Sequence, residues 1–289
     1  MNEIKRSELV TNNEGGVYHL NLLPEHIADT IIMVGDPNRV SMLSEKFDSI
    51  EVKRSNREIV THTGYIGNKR LTVISTGMGT DNIDIVLTEL DVLANFDLKA
   101  RTPKPEHRTL DLIRVGTCGI IHSDMEVGKP IVTKYSLGLD GLMYFYECDE
   151  YIFEKELTEE FTKHVEWSHL LPSVYCTEIG EKFDNLIKKT DWAQGITLSA
   201  PGFYGPQGRQ IRLPLRFPHL NEKIQTFKYK GYRVNNYEME SSAIYGLGKA
   251  LGHNTLTVCL SIANRATGDF LSDYKKDMNK MIEELFGVL

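Results

Sequence analysis

Tyr237-Glu238-Met239-Glu240-Ser241-Ser242 places two carboxylates either side of one methionine, directly after the polar pair Asn235-Asn236. In extended chain, side chains alternate, so Glu238 and Glu240 point to one side. The segment Ala243 to Leu251 that follows is apolar and rich in small residues, and Gly252 closes it. That pattern predicts a strand feeding a helix, with Ser241 or Ser242 as its cap and Gly252 as a left-handed stop. Acids at a strand-to-helix junction suit the strand ends where α/β folds keep their sites. The alternative is that both are solvated loop acids.

Three apolar runs end in loops of similar chemistry: Gly35-Asp36-Pro37-Asn38-Arg39, Ser75-Thr76-Gly77-Met78-Gly79 and Arg114-Val115-Gly116-Thr117-Cys118-Gly119. Glycine lets backbone N–H groups approach an oxyanion, Thr117 adds a hydroxyl, and Arg39 and Arg114 add planar guanidinium forks. Such a set suits phosphate, although each loop taken singly also reads as an ordinary strand-to-helix turn. Arg114 lies within an apolar strand, where an unpaired guanidinium is costly. Phe203-Tyr204-Gly205-Pro206-Gln207-Gly208-Arg209 combines a flat ring, an amide and a guanidinium in one short loop. Phe203 can stack on a ring, Gln207 both donates and accepts, and Arg209 only donates. The carbonyl, N–H, carbonyl edge of a pyrimidine dione matches those groups; a turn with an exposed arginine is the plainer reading.

Other chemistries find less support. No loop matches the P-loop or the dinucleotide glycine pattern, and no Gly-x-Ser-x-Gly elbow is present. His164 and His169 lack zinc-helix spacing, and His122, Asp124 and Glu126 read as a solvated turn rather than a metal site. Cys118 lies in a candidate anion loop but has no histidine beside it in sequence, so it reads as packing. The four cysteines are scattered without a Cys-x-x-Cys pair, which fits a reducing cytoplasm better than a disulfide scaffold. The net charge of −7 disfavours nucleic-acid or anionic-membrane partners but leaves room for a local anion site built from a few arginines. Met1 to Val10 is polar and charged, with no secretory leader, and no apolar run reaches membrane-spanning length.

The elements that must position these residues follow from periodicity. Thr30 to Val34, Leu71 to Ser75, Leu110 to Val115, Pro130 to Thr133, Ile196 to Ser199 and Thr255 to Ala263 read as buried strands. Glu51 to Tyr65 alternates and reads as one strand with a hairpin near Gly67-Asn68. Val40 to Phe47, Ile83 to Asn95, Tyr146 to Ser168 and Asp273 to Phe286 read as helices, and Ala100 to Arg108 as a surface loop. Strands followed by glycine turns and helices predict a single α/β domain over 17–289, three layers deep, with a mixed, mainly parallel central sheet. Residues 1–16 read as a flexible arm.

Taken together, His19-Leu20, Val34-Gly35-Asp36-Pro37-Asn38-Arg39, Asn56-Arg57-Glu58, Ser75 to Gly79, Arg114 to Thr117, the Phe203 to Arg209 loop, Tyr237 to Ser241 and Asn264-Arg265 resemble the nucleoside phosphorylase superfamily. The likeness is greatest to its uridine-cleaving branch and spans nearly the whole chain. It implies phosphate binding by Gly35, Arg39, Arg114 and Thr117, with Arg57 reaching over from a neighbouring subunit. It implies ribose binding by Met239 and Glu240, with the neighbour's His19 on the 5′-hydroxyl. It implies base binding by Phe203, Gln207 and Arg209, backed by Arg265, and catalytic roles for Arg114, Glu240, Gln207 and Arg209. The expected reaction is phosphate-dependent cleavage of uridine or a related nucleoside, in a homo-oligomer (a dimer or a trimer of dimers) with shared sites. It needs no metal or organic cofactor, and it leaves room for a monovalent cation near Glu58, as in some relatives. Purine phosphorolysis, nucleoside hydrolysis and non-catalytic nucleoside binding are the alternatives. Purine-cleaving relatives carry an aspartate where this chain has Ala263-Asn264. The chain also departs from the bacterial pattern at Ala100 to Thr109, at Thr80-Asp81-Asn82, at Tyr146 to Cys176, and at Gln210 to Arg216 with its two added arginines.

Overall fold

The apolar run Thr30–Val34 is strand β1 in the computed structural model, which describes residues 4–289, and it is buried from Ile31 onward. Helix α1, Pro37–Ser44, starts three residues earlier than its apolar pattern predicts. Proline is preset for a first helical position, and the Asp36 carboxylate accepts the Asn38 N–H at 2.9 Å as the cap. Strands β2 (Ser49–Asn56), β3 (Ile59–Ile66) and β4 (Lys69–Ser75) form an antiparallel meander. The alternating run Glu51 to Tyr65 is therefore two strands and not one. The chain reverses at Arg57-Glu58, and Arg57 takes φ 53°, a left-handed conformation that no glycine marks in the sequence.

Helix α2 (Thr80–Asn95) follows, then β5 (Phe96–Asp97), which forms a two-residue ladder with β6 (Thr102–Pro103); only β6 falls inside the segment expected as loop. Strand β7 (Asp111–Ile120) passes through the stretch Gly116-Thr117-Cys118-Gly119, which was expected to be a turn. Next come β8 (Pro130–Gly138), α3 (Lys155–His164), β9 (Tyr175–Glu178), α4 (Glu181–Ile187) and β10 (Ala193–Ser199). The chain ends with α5 (Leu220–Thr226), β11 (Lys228–Tyr229), β12 (Tyr232–Glu238), α6 (Ser241–Ala250), β13 (Asn254–Asn264) and α7 (Lys275–Val288). The helix expected over Tyr146 to Ser168 is regular only in α3, which buries Leu157 and Phe161. The short elements β9, α4 and α5 have too few residues to show a period.

Eleven strands form one mixed sheet in the order β11-β12-β10-β8-β13-β7-β1-β4-β3-β2, with β9 on β8. Its centre is parallel: β7 lies between β1 and β13, with Arg114 opposite Met33 and Thr257. The sheet also curls back, because β12 pairs antiparallel with the end of β7, Tyr237 opposite Gly119 and Asn236 opposite Ile120. A βα turn at Gly116 would have prevented that pairing. The closure brings the strand carrying Arg114 beside the strand that ends in Glu238. Helix α1 packs on β3 and β4, α6 on β8 and β13, and α2 on α6. The main buried cluster combines β1, β4, β7 and β13 with α2, α6 and α7. Residues 4–10 lie along Arg101, whose guanidinium donates to the carbonyls of Ile4, Lys5 and Leu9. Among the described residues, no helix is long and apolar enough to cross a membrane.

Candidate active site

The strand ends converge on a cavity of about 710 Å³. Gly35 reaches it from the β1–α1 turn, Arg39 from the first turn of α1, Arg114 and Thr117 from β7, and Met239 and Glu240 from the β12–α6 junction. Phe203, Gln207 and Arg209 reach it from the loop after β10. Every residue expected to act within its own chain therefore lines one cavity, apart from Arg265, which stands behind the base loop.

Arg114 is the centre of the charge arrangement. Its side chain is 5% exposed. Nε donates to Glu238 Oε2 at 3.2 Å, Nη2 donates to Glu240 Oε2, and Nη1 is buried without a partner. Burial opposes the charge on Arg114, but Glu240 and Glu238 more than compensate and raise its pKa. The guanidinium folds over Gly116, where a Cβ would lie 3.0 Å from Nη2 and 2.9 Å from Cys259 Sγ. Glycine here serves a close approach, not a turn.

Arg39 is the second cation. Its Nη1 donates to Val115 O at 3.3 Å, while Nε is buried and unpartnered. Burial, and then the neighbouring Arg114, lower its pKa. Two mutually repelling arginines that line one cavity, each with a buried nitrogen left without a partner, make a site that an anion would stabilise.

The two acids are not solvated: their side chains are 1% and 4% exposed. Glu238, rather than a serine hydroxyl, caps α6. Its carboxylate accepts the N–H groups of Glu240 and Ser241, both at 2.9 Å, and the Ser241 hydroxyl at 2.7 Å. A carboxylate beside orphan N–H groups is the stronger cap. Glu240 accepts the Gly79 N–H at 2.8 Å. Burial raises the Glu240 pKa, and Arg114 opposes that rise.

The loop after β10 is held by its own polar groups. Arg209 lies 3.8 Å from the Phe203 ring centroid and donates to Phe203 O at 2.7 Å and to Gln207 Oε1. Burial, and then Arg265, bring its pKa down to about 10. Gln207 is buried, and its backbone carbonyl accepts from Arg265 Nη1 and from Asn221 Nδ2, the latter at 3.2 Å. Asn221 is in turn held by the Tyr237 hydroxyl at 2.7 Å. Neither Asn221 nor its helix α5 stood out in the sequence; an isolated asparagine in a polar segment carries no signal.

His19 and Arg57 do not line this cavity. His19 Nδ1 lies 2.6 Å from Glu89 Oε1, and the His19 and Leu20 N–H groups donate to the same carboxylate. Asn56 Nδ2 donates to His19 O at 2.8 Å, so His19 and the exposed turn of Arg57 share one surface. Glu58, two residues beyond Asn56, reaches the cavity.

Nucleophile and metal readings do not fit. Burial holds the Cys118 thiol well above the ordinary cysteine pKa. His122 is bonded to Val234 O and Asp124 to Arg233. Among the described residues one cluster has metal-like composition, Asp91 with His107 and His253. Leu110 N–H donates to His253 Nδ1, which puts that ring's own proton on Nε2, the atom that faces Asp91. The two rings lie at a 28° interplanar angle, and His107 Nε2 is already 2.9 Å from Leu251 O. A second, larger cavity of about 970 Å³ lies on the other side of the base loop, but its walls are mainly apolar and include no acid.

A family model described as the phosphorylase superfamily matches residues 29–289. The chain is 28% identical to a uridine phosphorylase of Thermococcus kodakarensis, over 98% of this chain and 90% of that one. It is 26% identical to a DeoD-type purine nucleoside phosphorylase of Shewanella loihica, over 92% and 94%. Among solved structures it is similar to a Trypanosoma brucei nucleoside phosphorylase described as showing uridine phosphorylase activity. The TM-score is 0.83 at 27% identity, covering 97% of this chain and 99% of that one.

Proposed function

The chain belongs to the phosphorylase superfamily, and from that membership we propose that it cleaves the N-glycosidic bond of uridine with inorganic phosphate, releasing uracil and ribose 1-phosphate. One observation carries the reading. Arg39 and Arg114, each with a buried nitrogen left without a partner, line one cavity with Glu240 and with the Phe203–Gln207–Arg209 loop.

Arg39, Arg114, Gly35 and Thr117 bind phosphate and fix its line of attack on C1′. Glu240 accepts from the ribose hydroxyls beside Met239, and its charge stabilises the cationic sugar as the bond to the base lengthens. Phe203 stacks on the base. Gln207 and Arg209, supported by Arg265, meet the negative charge that develops on the uracil oxygens, where donors lower the barrier most. A spectrophotometric assay of uridine and inosine, each with and without phosphate, tests this reading. Uridine cleavage only with phosphate is expected. Phosphate-independent cleavage would indicate a hydrolase, phosphate-dependent cleavage of inosine alone a purine enzyme, and no cleavage of either a binding protein.

Asn264 bears on the purine alternative. Its Nδ2 donates to the carbonyls of His122 and Met125 at 3.0 and 2.8 Å, and its Oδ1 accepts the Ala266 N–H at 2.9 Å. The side chain is a buried latch for the turn after β13. Asn264→Asp should therefore gain no inosine cleavage. It should destabilise the fold by about 3 kcal/mol, since a carboxylate would face two carbonyls it cannot donate to. Denaturant unfolding measures the loss, and new inosine turnover would contradict the assignment.

The shared surface of His19 and Arg57 supports a homo-oligomer in which each copy completes its neighbour's site. Arg57→Ala and Arg114→Ala proteins, each inactive alone, should regain about a quarter of wild-type activity when unfolded and refolded together as dimers. Half the dimers are then mixed, and each mixed dimer has one intact site of two. Mixtures that stay inactive would place Arg57 in its own chain's site.

A further inference from the structure

Glu238 touches both halves of the cavity's machinery. One carboxylate oxygen, Oε2, accepts from Arg114 Nε at 3.2 Å and from the Glu240 and Ser241 N–H groups at 2.9 Å each. The other, Oε1, accepts the Ser241 hydroxyl at 2.7 Å, and that hydroxyl lies 2.7 Å from the Ser136 hydroxyl of β8. The Ser241 N–H also lies 3.1 Å from Oε1, so protein donors reach both oxygens of a carboxylate that offers about four lone-pair directions. Little capacity remains for a ligand, although the residue is in the cavity wall.

Arg114 has three nitrogen positions with three different fates. Nε is held by Glu238, Nη2 is held by Glu240, and Nη1 is free. A guanidinium is planar, so fixing Nε and Nη2 fixes the direction of Nη1. Glu240 alone could hold only one edge of the fork and would let the plane pivot. The N–H groups bonded to Glu238 Oε2 belong to Glu240 itself and to Ser241. The same atom that orients Arg114 therefore also sets the backbone from which Glu240 projects.

Building on the phosphorolysis reading, we propose that Glu238 is the positioning residue that joins the phosphate half of the site to the ribose half. It locks the plane of Arg114 and the backbone of Glu240 through one carboxylate oxygen. Glu238 does not touch either substrate. Its charge and shape are needed together: a neutral amide would turn an N–H pair toward donors on at least one side and release Arg114 to rotate.

Phosphate affinity is measured by titration calorimetry on folded wild-type protein, Glu238→Gln and Ser241→Ala, with steady-state kinetics in parallel. Glu238→Gln should bind inorganic phosphate at least tenfold more weakly and lower kcat as well. Ser241→Ala removes only the hydroxyl contact to Glu238 and to Ser136, so it should give a smaller loss of the same kind. Glu238→Asp, which keeps the charge, should recover part of the affinity. A purely structural residue would lower the unfolding temperature while the folded fraction bound phosphate as wild type does, and that result overturns the proposal. Should Glu238→Gln not fold, Ser241→Ala with unchanged phosphate affinity and kcat overturns it equally. Wild-type protein that binds no phosphate would instead bring down the phosphorolysis reading itself.

Discussion

Arg114→Ala should reduce kcat/KM for phosphate-dependent uridine cleavage by at least ~10³-fold, because one residue supplies both the free Nη1 and the hold on Glu240. The same change leaves two buried carboxylates without their cation. Breaking a buried pair in this way costs about 3–5 kcal/mol, so the variant should also unfold at a lower temperature near pH 8. The deficit should depend on pH, with a sign set by Glu240. Burial already raises that group's pKa and Arg114 holds it down, so removing Arg114 raises it further. A carboxyl group whose pKa is higher in the folded state binds its proton more readily there. Stability is then lost as pH rises from the unfolded value, about 4.3, through the folded one. The gap in unfolding temperature between variant and wild type should therefore narrow on going from pH 8 to pH 5. Undiminished turnover would remove Arg114 from the reaction, and a gap that ignores pH would show that Glu240 does not feel it.

Gln207→Ala should lower kcat for uridine about 10²-fold, roughly 2.7 kcal/mol of transition-state stabilisation, with little change in unfolding temperature. The backbone explains the second half. Arg265 and Asn221 hold the carbonyl of residue 207, and neither contact needs the side chain. Arg209 loses the Gln207 Oε1 anchor but keeps Phe203 O and its place over the Phe203 ring. The size of the defect should follow the leaving base. 5-Fluorouridine expels a more acidic pyrimidine, which carries its negative charge with less help, so the variant should be less impaired on it than on uridine. Equal impairment on both substrates would mean that Gln207 binds the base without assisting its departure, and full activity would take it out of the site.

Much of the site was legible because its parts are local. Gly35, Arg39, Thr117, Phe203, Gln207, Arg209, Met239 and Glu240 each sit in a short stretch whose residue types already imply a task, and all of them line the cavity. Two readings went astray where a local pattern met a non-local partner. Gly116 to Gly119 has the composition of a turn, yet β13 and the end of β12 pair with it as strand. The alternating run after Glu51 conceals a reversal at Arg57, since a left-handed arginine leaves no mark in the sequence. Glu89, which holds His19, was not visible because it acts on a segment 70 residues away, and Asn221, which holds Gln207, because an isolated asparagine in a polar segment carries no pattern.

By itself, the sequence determined the types of groups available: arginines within or beside apolar strands, a pair of acids before a helix, and an aromatic-amide-guanidinium loop. It also determined the alternation of strands and helices, because burial of apolar residues has a period that can be read directly. Only the tertiary structure decided that β12 folds back onto the end of β7 and delivers Glu238 and Glu240 to Arg114. That meeting depends on sheet curvature and on a close approach over Gly116. The curvature joins strands more than a hundred residues apart in the chain, and the space over Gly116 is bounded by Cys259 of distant β13, so no local period records either.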